Sequence, residues 1–480
     1  MTRDSVDLHS PPPDADDESQ THEGQALEDL ALRDDYALNP RYVEMVVEAA
    51  DRGDTARLKA LLDALHPADV ADLMGFLSAD YREELIPLLD PAALPEILSE
   101  LEDNIREEVL ESVPPTALAQ ALGELESDDA ADLIEDMEDD KRDAVLAAMS
   151  DADRAGIESS LSYEEESAGR LMQREVLAAP QFWTVGQTID HVRQTADDLP
   201  ELFFDVYVVD PAFKPIGAVS VSGLLKAPLD ARLTAIMEPI NEIPVSMDQE
   251  EVAYIFDKYH LVSAPVTDVG GRLVGQITVD DIVGVIQEEA EEDILALAGV
   301  SDAGRDASVL DIVRSRLPWL ITNLATEAVA VTSIGIFQAE VAKVVALAVL
   351  MPIVSSVGGN AGTQTLAVAV RALASKELNT SNAKRIIWRE LTVAIINGLS
   401  LALVMGIATF FVYHNPRLAI TVALALVANI FTAGLGGILA PLILERMGRD
   451  PAVSSPILVT FLTDFMGFFA VLAIAAIILL

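Results

Sequence analysis

The last third of the chain is almost stripped of charge, and this constrains the fold most. From residue 314 onward there are 11 Lys/Arg and 7 Asp/Glu, a net of +4. The whole chain carries −47, which leaves −51 on residues 1–313. About 20 apolar residues cover some 30 Å of hydrocarbon. Five segments qualify, at about 318–337, 344–370, 391–413, 418–444 and 455–480. Nine Lys/Arg flank the ends that share a side with the N-terminal portion: Arg314, Arg316, Arg371, Lys376, Lys384, Arg385, Arg389, Arg446 and Arg449. Only Lys343 and Arg417 flank the other ends. This bias predicts a cytosolic N-terminus and, after five spans, an outside C-terminus, in a multi-pass protein of the cell membrane. Residues 1–25 are acidic and Pro/Ser-rich, without the apolar core of a signal peptide. A disordered acidic tail is expected over 1–40.

No cysteine is present, and the six His lie outside the spans, so thiolate and imidazole sites are scarce. Oxygen ligands dominate, which suits hard cations such as Mg²⁺, Ca²⁺ or Mn²⁺. Only eight of the basic residues are Lys. A Lys-poor acidic surface is what a salt-rich cytoplasm favours, because screening relieves self-repulsion. Such a surface excludes nucleic acid as a partner. No GxxxxGK[ST] stretch and no nucleophile–base set occurs, so no enzyme is expected.

Residues 41–165 have a helical pattern that repeats. Pro67, Pro91 and Pro115 recur every 24 residues and open HPADVADLMGFL, DPAALPEILSEL and PPTALAQALGEL. Proline in a first turn marks a helix start, and two short helices per period predict an α-helical solenoid. In residues 166–286 strand-like runs alternate with helices, and a second copy follows at an offset of 58: VYVVD with APVTD, IGAVSVSGLL with VGQITVDDIV. These tandem βαββα copies resemble a pair of CBS domains, an α/β module whose cleft often binds adenine nucleotides. Thr278 and Asp281 could then meet the phosphate and ribose of ATP; a purely structural pair is the other reading. An amphipathic helix, IQEEAEEDILALAGV, begins the connection over 287–313. It leads into an all-α membrane domain over 314–480.

Polar groups inside spans are costly and mark function. PIVSSVGGNAGTQ (352–364) places Pro352, three glycines, Asn360, Thr363 and Gln364 in the second span. Unwound backbone lining a pore is expected, with Gly358, Gly359, Asn360, Thr363 and Gln364 on the wall; tight helix packing is the alternative. Asp464 lies ten residues in from Ser454, roughly 15 Å deep at 1.5 Å per residue. A lone carboxylate there should be protonated or face a cation and water. Thr460 and Thr463 would touch the waters of a largely hydrated ion, and a symmetric dimer would supply a second Asp464. Asp450 could attract cations at the cytosolic mouth or cap its helix. Glu327, in the first span, could be a second pathway group or a hydrogen-bonded helix contact.

DDAADLIEDM, YEEESAGRLM, VGQITVDDIV, RLPWL, PIVSSVGGNAGTQ, RALASKEL, GRDPA and TFLTDFMGFF occur in this order over residues 41–480. In this order they resemble the MgtE family of magnesium transporters and channels. The resemblance implies a homodimer with a pore between the second and fifth spans and the pore cation at Asp464. It also implies that cytosolic Mg²⁺ bridges carboxylates of the helical domain, the CBS pair and the connecting (plug) helix, closing the pore. Carried over by position, those carboxylates are Glu250, Asp281, Glu289, Glu292 and Asp293. His260 and Gly284 stand where acidic residues are expected, and Gln338 where a Glu is frequent. The alternatives are a carrier of Mn²⁺, Co²⁺ or Ca²⁺, or a membrane-anchored CBS sensor that transports nothing.

Overall fold

The computed structural model describes residue 27 and residues 30–195, 199–200, 202–300, 309–337, 343–378 and 382–479. The acidic stretch 1–26 and Gln338 lie outside the described residues. The chain divides into two compact units, Met1–Val285 and Ile286–Leu480.

The first unit opens with a run of short helices from Pro40–Asp51 to Asp151–Ser160. Pro67 and Pro115 each occupy the first turn of a helix, where a missing N–H costs nothing. The middle repeat departs from this pattern. Pro91 sits in a turn, and the helix Leu94–Ser99 carries Pro95 in its first turn instead. Residues such as Leu58, Leu61, Leu73, Met74, Leu98 and Leu110 fill a common core. Leu27, Ala31 and Leu38 also pack into it, so the packed array begins ahead of residue 41. The expected tail over 1–40 is therefore too long at its C-terminal end: its apolar positions are buried. Arg82 is buried and satisfied there, donating to the carbonyls of Leu77 at 2.8 Å and Met74 at 3.3 Å and pairing with Glu108 at 2.6 Å.

Two three-stranded sheets follow. The first orders β1 (Ala178–Pro180), β2 (Asp205–Val209) and β3 (Pro215–Ser220); the second orders β4 (Ile243–Pro244), β5 (Ser263–Thr267) and β6 (Leu273–Thr278). In each, a parallel pair is joined to an antiparallel one. Asp205 pairs with Ser220, and Ser263 with Thr278, both shifted by the sequence offset of 58. Even the irregularity recurs, at Val208/Val209 and Val266/Thr267. Buried apolar residues alternate with the strand period to form one core per copy. The copies are tied by the Tyr207 hydroxyl to Ser263 Oγ at 2.8 Å and by Ser263 Oγ to Asp205 at 2.8 Å.

Among the described residues the second unit holds five helices long and apolar enough to cross a membrane: Ile312–Ile336, Ala346–Ala374, Ala383–Tyr413, Pro416–Arg446 and Pro451–Ile478. They are called the first to fifth spans below. Prolines start the fourth and fifth, capped by Asn415 and Asp450. The fourth span is the most buried and packs against the second, third and fifth. Small residues permit this close approach, as is usual where lipid supplies no hydrophobic drive. A Cβ on Gly437 would stand 2.8 Å from the Gly362 carbonyl oxygen and 3.1 Å from the Leu366 nitrogen, both backbone atoms of the second span. Backbone cannot rotate away. Gly437→Ala should therefore cost about 1–3 kcal/mol, read as a lowered unfolding midpoint in detergent.

The second span runs as an unbroken helix from Ala346 to Ala374. The unwound backbone expected at PIVSSVGGNAGTQ is absent. Pro352 lies close to the start of the helix, and Gly358 and Gly362 serve packing. Gly358 is covered by Asn429, whose Nδ2 donates to the Val354 carbonyl at 2.8 Å. Gly362 lies against Val459, Thr463 and Ala433.

Candidate cation pathway and cytosolic carboxylates

Asp464 is half-buried in the fifth span. Ser355 of the second span donates its hydroxyl to the Asp464 carboxylate. Glu327 of the first span lies close enough to the same carboxylate to feel its charge. Three spans thus converge on one carboxylate. Asn429 is fully buried beside them; its Oδ1 has no hydrogen-bond partner. Ser355 and Asn429 are contributions that sequence reasoning missed, although PIVSS carries the serine. Apolar surroundings hide a single Ser or Asn until its partner is placed.

The expected pore wall separates into two groups. Asn360, Thr363, Gln364 and Thr460 are exposed, and the first three lie on one open stripe of the second span. Gly359 is half-buried near Thr463. Gly358 and Thr463 are corrected to packing positions. Gly358 lies under Asn429; Thr463 is fully buried and its hydroxyl is spent on the Val459 and Thr460 carbonyls, each at 3.0 Å.

At the N-terminal end of the fifth span Asp450 caps the helix, accepting from the Ala452 N–H at 2.7 Å. The helix-cap reading of Asp450 is the one seen here, and Asp293 of the helix Val279–Leu297 lies close enough to feel its charge. Burial first, then Asp450 and Glu292, push the Asp293 carboxyl above its ordinary range. Ala296, one turn on, packs with Leu366, Val370, Ala440, Ala452 and Val459. The end of this helix is therefore seated on the second, fourth and fifth spans. Glu292 is exposed and Glu289 half-exposed on it.

In the first unit a denser acidic group forms. Asp281 accepts from the Thr278 hydroxyl at 2.8 Å, so the two residues proposed for nucleotide are bonded to each other. Facing Asp281 are Glu126, Asp128 and Asp129, around the start of the helix Ser127–Glu135. Burial is the largest cause, and mutual repulsion next, for their raised pKa values. Glu126 and Asp129 are pushed up to about 7, and Asp128 well above its usual range. Asp281 is pushed up to about 6, chiefly by burial, with Thr278 opposing and Asp280 adding. Asp128 Oδ1 is buried without a partner. Sequence reasoning named Asp281 and quoted DDAADLIEDM, but did not single out these N-terminal carboxylates. Among 78 Asp and Glu nothing in composition marks three of them.

Glu250 is exposed in the first turn of Gln249–Tyr259, capped by Asp248. His260 ends that helix in the left-handed conformation (φ 54°). A Cβ at Gly284 would meet nothing within 4 Å. Among the described residues no three His, Asp or Glu converge closely enough to chelate a bare ion.

Raised carboxylate pKa values have a definite sign. The native unit holds protons that the unfolded chain, with carboxylates near 4, has released. The associated stability is full below about pH 4 and is lost as pH rises through about 6 for Asp281 and about 7 for Glu126 and Asp129. In chelator, the unfolding midpoint of the first unit should fall between pH 5 and 8 by on the order of 5 °C. Millimolar Mg²⁺ should restore much of it at pH 8 if the cation replaces those protons.

Three family models match the chain: divalent cation transporter of the MgtE type over residues 351–474, MgtE intracellular N domain over 65–166, and CBS domain over 234–288. A magnesium transporter MgtE of Enterococcus faecalis is 35% identical over 64% of this chain and 68% of its own length. That of Thermus thermophilus is 34% identical over 68% and 73%. The chain belongs to the MgtE family. The transporter match takes in Ser355, Asn429 and Asp464; the N-domain match takes in Glu126, Asp128 and Asp129. Among solved structures, the cytosolic domain of the Mg²⁺ channel MgtE in complex with ATP is 34% identical, covering 51% of this chain and 99% of its own, with a TM-score of 0.48. The soluble part of a magnesium transporter is 28% identical, covering 52% and 99%, with a TM-score of 0.46. As a MgtE chain, the protein is a multidomain membrane protein with a helical cytosolic portion, a CBS portion and five membrane helices.

Proposed function

We propose that this MgtE-family chain imports Mg²⁺ passively across the cell membrane and is closed by Mg²⁺ bound on its cytosolic side. Asp464 carries the transport half of this reading. It is a carboxylate in the middle of an apolar helix, bonded across to the second span, with an open polar stripe of Asn360, Thr363 and Gln364 on that span. A hydrated Mg²⁺ gives up water reluctantly, so one carboxylate per chain holds it through its water shell. A homodimer with the pore on its axis would bring two Asp464 to one ion.

The gating half rests on the two acidic groups. Glu126, Asp128, Asp129 and Asp281 repel one another across a buried surface, and Asp293 faces Asp450 at the foot of the fifth span. A divalent cation relieves both repulsions when cytosolic Mg²⁺ is high. When it falls, the carboxylates push apart and the helix Val279–Leu297 is loosened from the spans. Glu250, Glu289 and Glu292 would add charge around these centres. Asp281 then serves cation sensing, with Thr278 orienting it. ATP at the same two residues is the other use of the CBS pair, and it would compete with Mg²⁺ closure.

The test is flux into proteoliposomes from Mg²⁺, Mn²⁺, Co²⁺ and Ca²⁺ gradients, beside cross-linking of the protein in the bilayer. Flux of Mg²⁺ through a cross-linked dimer supports the reading. Flux of another divalent ion alone would change the substrate. No flux of any would leave a membrane-anchored CBS sensor.

A further inference from the structure

The fifth span's aspartate does not act alone in its own chain. Glu327 reaches it from the first span and Ser355 from the second. Glu327 lies nine residues in from Pro318 and Asp464 ten in from Ser454, so both stand roughly 15 Å deep, near the bilayer midplane. The first and fifth spans are held together farther along by Phe337 and Phe469, edge to face at 5.9 Å. Two carboxyl groups so close, in a low-dielectric span, repel unless a proton or a cation lies between them. No described Lys or Arg lies in the apolar middle of these spans to neutralise them.

A second observation points to a ligand. Asn429 of the fourth span is fully buried, and its Nδ2 is held by the Val354 carbonyl, next to Ser355. A Cβ on Gly467, one turn beyond Asp464, would meet Ser355 at 2.8 Å and the Asn429 amide at 3.1 Å. The Oδ1 of the same side chain is buried without a hydrogen-bond partner. An unpaired carbonyl oxygen inside a membrane bundle is unfavourable. It is the group a cation or its bound water satisfies.

We propose that Glu327 is a second intramembrane cation ligand, which each chain contributes with Asp464 and Ser355 to the site that takes a divalent cation in its water shell. Asn429 Oδ1 accepts from that shell. The site deepens the transport reading given above and rests on it. Its consequence is a doubled negative charge at the site when the cation is bound. This favours a divalent over a monovalent ion, because attraction scales with the charge of each partner.

Glu327→Gln tests this, since the amide can still donate a hydrogen bond to Asp464 while the charge is lost. In proteoliposomes with Mg²⁺ as the probe, the half-saturating concentration should rise about tenfold, the size of one lost charge-assisted contact. Glu327→Asp keeps the charge and should recover most of the affinity. Wild-type flux with an unchanged Glu327→Gln variant overturns the inference and leaves the transport reading standing. A Glu327→Asp variant as weak as Glu327→Gln also overturns it, because packing rather than charge would then be responsible. Absence of wild-type flux removes the transport reading, and this site with it.

Discussion

Asp464→Ala should abolish Mg²⁺ uptake while the protein still assembles in the bilayer. The side chain is half-buried and contributes little packing, so its removal leaves the helices in place. Asp464 accepts the Ser355 hydroxyl and lies beside Glu327. Without it the path has no fixed negative charge on the fifth span. Moving a divalent ion through a low-dielectric centre without a compensating carboxylate is unfavourable by several kcal/mol. At about 1.4 kcal/mol per decade, that is a loss of a hundredfold or more in rate. Asp464→Asn should be nearly as inactive, because the isostere retains shape and loses charge. An Asn variant as fast as wild type would mean that the carboxylate is structural.

The second large effect concerns closure. Asp128→Asn combined with Asp281→Asn should leave a transporter that stays open at cytosolic Mg²⁺ concentrations that shut the wild type. Both residues lie in one repelling group, and burial pushes both upward in pKa. Neutralising them removes the reason to bind a cation and also the repulsion that its absence releases. The first unit should then gain stability at pH 8 in chelator, since the buried charge is gone. The cation requirement for closure should shift by tenfold or more, about one charge-assisted contact per residue lost. Closure at unchanged Mg²⁺ would place the sensor elsewhere, with Asp293 and Asp450 as the next pair to vary.

The five spans were legible because roughly 20 uninterrupted apolar residues have few other uses. Their observed limits lie within a few residues of most of the expected ones, the third starting earlier, at Ala383. The tandem sheets were legible because the copies repeat at one offset, down to the Ser263–Thr278 register. Asp464 stood out in the sequence through its cost, as a carboxylate among Phe, Leu and Met, but its partner Ser355 did not. Other features depended on partners distant in sequence. Gly358 and Thr463 read as pore lining from their types, yet one lies beneath Asn429 and the other spends its hydroxyl on its own helix. Proline and glycine suggested a broken span, but Pro352 falls near a helix start and the glycines meet neighbouring chain. Glu126, Asp128 and Asp129 were hidden for the opposite reason. In so acidic a chain a functional carboxylate looks like any other until burial and Asp281 single it out.

Mg²⁺ flux through the wild-type protein in liposomes, at micromolar and at ten-millimolar Mg²⁺ on the cytosolic face, tests the central claim most directly. Fast flux at the low concentration and near-complete closure at the high one is the predicted result. Equal flux at both would contradict gating by the carboxylate groups, and the His260 and Gly284 positions would then be the first to restore to acidic residues.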